Sequence, residues 1–120
     1  MYDIDKSFRF QKLIGQKVEQ ITFATDNVTI FFGVGDDYIQ ILSYFELNTP
    51  ERSYYCKDVY GMRNAHGLLE LIGKKIKEIY VDYDENNVQL VFTEGYSLSI
   101  FDDEDYESYW IMAEGKEMLV

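Results

Sequence analysis

The sequence predicts an α+β fold in two related halves, each a short helix plus a three-stranded antiparallel meander. Three observations carry this. First, Leu13–Ile21 (LIGQKVEQI) and Leu71–Ile79 (LIGKKIKEI) share Leu, Ile, Gly, Lys and Ile at matching positions. A series of matches follows in the same order: Asn27-Val28 with Asn87-Val88, Phe32 with Phe92, Gly35 with Gly95, and Ile39/Ile41 with Leu98/Ile100. An ordered series of this kind points to an internal repeat. Second, each copy continues into short β-branched and aromatic runs broken by Gly, Asn and Asp, the pattern of strands and turns. Third, Gly15 and Gly73 each end an apolar segment where a helix C-terminus would place glycine.

In chain order, Asp5–Ile14 is predicted as a short helix, with Asp5 or Ser7 as N-cap, although Phe8 and Phe10 also suit a strand. Val18–Thr25 reads as a strand with Ile21 and Phe23 on one face. Asp26-Asn27 is a turn, since both side chains bond locally and tolerate left-handed backbone. Val28–Phe32 is a β-branched and aromatic strand. Gly33–Asp37 turns, and Tyr38–Tyr44 is the third strand. Phe45–Gly61 connects the halves, with Thr49-Pro50-Glu51 as a loop and Ser53–Tyr60 as an added strand. Gly61–Gly73 holds a second short helix with Leu68, Leu69 and Ile72 at helical spacing. The second copy then repeats the first. In both copies the apolar spacing Val18 to Ile21, and Ile76 to Ile79, is three rather than two, which predicts a bulge or a later strand start. Thr93–Tyr96 is a tight turn around Gly95. Ser108–Ala113 and Glu117–Val120 read as final strands around a turn at Glu114-Gly115-Lys116. The helices are expected to cover one sheet face. The chain is expected to be a single domain, residues 1–120, built of repeats at about 8–45 and 64–105 with an acidic C-terminal segment.

At 120 residues the chain is long enough to bury a core without staples. Its 47% hydrophobic content is that of a globular protein. Cys56 is the only cysteine, which excludes an internal disulfide. Met1–Phe10 carries acids where a secretory leader would be basic, so a reducing cytoplasm is the expected compartment. No apolar run approaches the roughly 20 residues of a membrane span.

The net charge of −11 is unevenly placed. Residues 1–77 hold 10 acids and 10 Lys/Arg, whereas residues 78–120 hold 12 acids against Lys116 alone. Nucleic acid and anionic membranes need cationic contacts, so neither is an expected partner. A basic protein surface is the natural complement.

Catalytic and metal signals are weak. His66 stands without Ser, Cys or Asp in a catalytic arrangement. Cys56 has only Lys57 nearby to activate it and reads as a quiet thiol. Asp82-x-Asp84-x-Asn86 opens like a calcium loop, but the sixth position is Asn87 and the twelfth Thr93, where glycine and glutamate belong. Gly33-Val34-Gly35 lacks the following helix of a phosphate-binding loop. No catalytic residue, metal or cofactor is assigned, and the chain is read as non-enzymatic.

The segment singled out is Asp102–Trp110 (DDEDYESYW). Asp102, Asp103, Glu104, Asp105 and Glu107 supply charge that steers a basic partner. Tyr106 and Tyr109 supply contact area with a polar tip, and Trp110 is placed in the core. Asp82, Asp84 and Glu85 form a second acidic turn.

The arrangement LIGKKI-x₂-I, NNVQLVF-x-EGYSLSIF and DYESYW resembles small acidic single-domain bacterial proteins, immunity proteins that accompany polymorphic or contact-dependent toxins among them. The resemblance covers mainly Leu71–Trp110, with an echo in Leu13–Ile41. It implies a cytoplasmic protein that acts by occluding its partner. The expected function is therefore a non-catalytic binding protein, an immunity-type or antitoxin-like inhibitor of a basic toxin such as a nuclease. Two alternatives stand beside it: a phage-type anti-defence protein imitating DNA, and a small-molecule-binding domain with a tyrosine-lined pocket between the halves. A homodimer is a third arrangement compatible with the sequence.

Overall fold

The computed structural model describes residues 2–33, 36–56, 65–103 and 106–120. It corrects the α+β expectation: the described chain is mostly strand, arranged as two antiparallel five-stranded sheets. Its strands are β1 (Val18–Phe23), β2 (Val28–Phe32), β3 (Tyr38–Ile41), β4 (Phe45–Asn48) and β5 (Ser53–Cys56). They continue with β6 (Ile76–Asp82), β7 (Asn87–Phe92), β8 (Ser97–Ile100), β9 (Tyr109–Ala113) and β10 (Lys116–Leu119). Sheet 1 has the order β1-β2-β3-β9-β10 and sheet 2 the order β5-β4-β8-β7-β6.

The two predicted helices are short 3₁₀ segments, Phe10–Leu13 and Ala65–Leu71. Neither is a lid. Each runs into a glycine at positive φ, Gly15 at 90° and Gly73 at 89°, which turns the chain straight into β1 or β6. Leu13, Leu68 and Leu71 are driven fully inside. The sheets instead cover each other. The alternating inward residues of both, among them Ile30, Phe32, Ile39, Phe45, Leu90 and Leu98, form one continuous cluster. Each such side chain contributes roughly 1.5–3 kcal/mol by leaving water.

Topology explains why five strands replace three. After β3 the chain crosses to sheet 2, where β4 pairs with β8 and β5 pairs with β4. After β8 it crosses to sheet 1, where β9 pairs with β3 and β10 with β9. Each half therefore donates its last hairpin to the other half's sheet.

The backbone bonds at the junctions match in both halves. Near the bridge between Lys17 and Lys75, Gly15 N–H donates to Ile76 O and Gly73 N–H to Val18 O, at 2.7 and 2.8 Å. Val18 N–H donates to Lys74 O and Ile76 N–H to Gln16 O, both at 2.9 Å. At the crossings, Leu42 N–H donates to Ser108 O and Phe101 N–H to Tyr44 O, at 2.9 and 3.1 Å. β1 and β6 each carry a register shift just past the bridge, between Val18 and Gln20 and between Ile76 and Glu78. The three-residue apolar spacing arises there, because a bulged residue keeps Val18 and Ile21 on one face.

Candidate binding surface

The two halves differ most in their crossings. From β3 to β4 the chain crosses with Leu42, Ser43 and Tyr44. From β8 to β9 it uses residues 101–108, five more, and these hold all five acids of the predicted segment. The fold needs three residues for the step, so the acidic length is additional to it.

The stem of the longer crossing is tied down. Asp102 N–H donates to Asn87 Oδ1 at 2.9 Å, and Tyr44 OH donates to the Asp102 carbonyl at 3.0 Å. Ser108 Oγ accepts from Asp103 N–H at 2.6 Å and donates to Asp102 Oδ1 at 2.9 Å. Asp102 and Asp103 are half-buried in this stem, whereas Tyr106 (72% exposed) and Glu107 face solvent. Glu104 and Asp105 lie outside the described residues.

Tyr109 has a different role from the one expected. It is fully buried, and its hydroxyl donates to the Asn86 carbonyl at 2.8 Å. Burial, with the Asp102 charge adding to it, pushes its phenol far above the usual range. Tyr109 serves the core, while Trp110 sits half-buried on the outer face of sheet 1, with Met112 following it.

The structure brings the two acidic segments together. Asp82 Oδ1 accepts from the N–H groups of Asp84 and Glu85, both at 3.1 Å, which closes the turn between β6 and β7. Asn86 takes φ 57° at its end. Asn87 from this turn then holds Asp102, and Asn86 holds Tyr109. The N-terminal segment adds to the same end: Ile4 N–H donates to Asn86 Oδ1 at 2.9 Å, and Asn86 Nδ2 donates to Asp3 Oδ1 at 3.0 Å. Asp82, Asp84 and Glu85 are all exposed. Lys6 sits at this end too, with its Nζ 5.9 Å from the centre of the Tyr83 ring. The strands carry this end away from the Lys17–Lys75 bridge, near which Lys17 pairs with Glu19 and Lys74 with Glu94.

Next to this end, the outer face of sheet 2 is concave. Tyr80 and Asp82 of β6, Asn87 and Gln89 of β7, and Ser99 and Phe101 at β8 line a groove of about 270 Å³. Phe101 is backed by Tyr44 at 5.8 Å, stacked, and by Tyr55 at 6.4 Å. Tyr80 OH donates to Glu78, and this bond raises the Tyr80 phenol above its ordinary value. The sequence reading did not select Tyr80, Gln89, Ser99 or Phe101. The available signal was the repeat itself, in which Ser99 occupies the place that Gln40 holds in the first copy.

His66 is exposed, with Tyr54 edge-on at 6.3 Å. Cys56 is buried at 2% exposure. Among the described residues no three His, Cys, Asp or Glu side chains converge as metal ligands, and no helix is long and apolar enough to cross a membrane. No family model, curated protein or solved structure matches the chain.

Proposed function

We propose that the chain is a non-catalytic binding protein whose acidic end engages a basic protein surface, in the manner of an immunity-type or antitoxin-like inhibitor. One observation carries this reading: the acidic crossing is five residues longer than the equivalent step in the other half, and it is pinned beside the second acidic turn. Its acids therefore are not demanded by the topology. Clustered carboxylates on a rigid stem raise the on-rate of a cationic partner and set its orientation. Tyr106, exposed among them, adds an aromatic anchor of the kind that dominates interface energies. The aromatic and acidic groove alongside extends the same surface onto sheet 2.

The test is capture of partners from source-cell lysate at low and high salt, with wild type and with the exposed charge reversal Asp84→Lys/Glu85→Lys/Glu107→Lys. These three side chains lie outside the stem bonds, so the variant retains the fold, as circular dichroism will verify. A stoichiometric basic protein bound by wild type, weakened by salt and lost in the variant, supports the reading. Equal binding by the variant refutes it.

A further inference from the structure

We propose that the groove on sheet 2 receives an arginine side chain of the basic partner. The inference rests on the function proposed above and names the chemistry of one of its contacts.

The groove offers two kinds of surface. Its sides are aromatic: Tyr80 on β6, and Phe101 held by Tyr44 and Tyr55. Its floor and end are hydrogen-bonding groups: Gln89, Ser99, Asn87 and the Asp82 carboxylate. The register places Tyr80, Gln89 and Ser99 in one row across three strands, because Tyr80 pairs with Gln89 and Gln89 with Ser99. The Gln89 and Ser99 side chains make no hydrogen bond among the described residues. No cation lines the groove, and the Asp82 carboxylate at its end disfavours an anion. A purely apolar ligand would strand the polar floor. A guanidinium fits both surfaces: it is flat, stacks on aromatic faces, carries five donors and no acceptor, and is always charged.

The first half supplies an internal control. Its corresponding row is Thr22, Thr29 and Gln40. There the Gln40 amide donates to Asn27 Oδ1 at 3.3 Å, and Thr29 is only 7% exposed. Gln40 is the longer counterpart of Ser99 in this row. In the second half Asn87 is also turned to a different task, holding Asp102. The second copy's row is thus distinguished by a ring on β6, where the first copy has Thr22, and a short hydroxyl on β8, where it has Gln40.

The experiment titrates the full chain with N-acetyl-arginine amide and, in parallel, with its neutral isostere N-acetyl-citrulline amide, followed by two-dimensional NMR. The expected result is saturable shifts at residues 80–82, 87–89 and 99–101 with arginine, at a Kd on the order of millimolar, and none with citrulline. Ser99→Gln, copied from the first half, should weaken arginine binding at least tenfold while leaving the net charge unchanged. Phe101→Leu, which removes one ring, serves as the second variant, and the same spectra show whether each is folded. Equal response to citrulline, unchanged affinity in folded Ser99→Gln and Phe101→Leu, or shifts confined to residues 83–86 and 106–107 would each overturn the proposal. Those outcomes leave the acidic-end reading intact, because it is judged by lysate capture with the Asp84/Glu85/Glu107 reversal.

Discussion

Replacing Tyr109 with Phe separates a core role for this residue from a contact role. The ring is fully buried, so the substitution keeps its volume and removes one hydroxyl. That hydroxyl donates to the Asn86 carbonyl at 2.8 Å and fixes the turn that carries Asp84 and Glu85. A buried neutral hydrogen bond is worth about 1 kcal/mol net, and leaving the carbonyl without its donor brings the cost to about 1–2 kcal/mol. For a chain of this size each kcal/mol lowers Tm by about 4 °C. The pH dependence adds a second signature. In the folded chain burial and Asp102 hold the Tyr109 phenol protonated well above its ordinary range, whereas in the unfolded chain it ionises near pH 10, roughly. The folded pKa is the raised one, so this stabilisation is complete below about pH 10 and is lost as pH rises further. At about pH 11 the loss from this single group is about 1.4 kcal/mol. Other tyrosines titrate alike in both proteins and cancel in the difference. Urea unfolding followed by Trp110 fluorescence should therefore show Tyr109→Phe less stable at neutral pH by about 1–2 kcal/mol, with the gap nearly closed at about pH 11. Identical stability at neutral pH, or a gap that does not change with pH, refutes the assignment of Tyr109 to the core network.

Further predictions concern the junctions and the core. Ser43, in the short crossing, is 7% exposed and its hydroxyl has no hydrogen-bond partner among the described residues; Ser43→Ala should raise stability by about 1 kcal/mol in urea titrations. A Cβ at Gly67 would sit 2.9 Å from Cγ of the Tyr54 ring, which also meets His66 edge-on; Gly67→Ala should cost about 1–3 kcal/mol by thermal unfolding. Replacing residues 101–108 with the Leu-Ser-Tyr of the other crossing should leave a cooperative unfolding transition by calorimetry, at lower Tm because the Asp102 and Ser108 bonds are gone, and should abolish capture of a basic partner. Cys56, buried at 2% exposure, should react with a thiol reagent only at the rate at which the chain opens, and fully once urea unfolds it.

Local features of this fold were legible in the sequence, and long-range ones were not. The glycines after Leu13-Ile14 and Leu71-Ile72, the Asp26-Asn27 turn and the three-residue apolar spacing are encoded by neighbouring residues, and a bulge stands at that spacing in both β1 and β6. The helical reading of Asp5–Ile14 failed because a few apolar residues before a glycine fit a single 3₁₀ turn equally well. β4 went unrecognised because Phe45–Asn48 shows only two apolar alternations before Pro50. The crossings were illegible in principle, since Leu42 bonds to Ser108 and Phe101 to Tyr44 across more than fifty residues, and periodicity carries no information at that separation. The parity of β9 was undetermined for a related reason. Tyr109, Ile111 and Ala113 alternate with Trp110 and Met112, both sets apolar, and only pairing with β3 sends Tyr109 inward. In the acidic region the residue types were evident, but the approach of the β6–β7 turn to Asp102 and Tyr109 depends on Asn87 and Asn86, which the sequence shows only as positions of an incomplete calcium loop and of the repeat.

The reciprocal loan of hairpins has a consequence for how this molecule comes apart. Neither half owns a finished sheet: β3 lacks its neighbour until β9 arrives from the far end of the chain, and β8 lacks its neighbour until β4 does. The halves are interlocked, like two hands each holding the other's wrist. No independent foldon corresponds to a half, so unfolding should be all-or-none, and folding should be slow for the chain length because its decisive pairings are distant in sequence. A truncated chain would expose the bare edges of β3 or β8 and invite aggregation. Two complementary fragments, by contrast, would each carry what the other is missing, and mixing them should rebuild the native sheets without a covalent link.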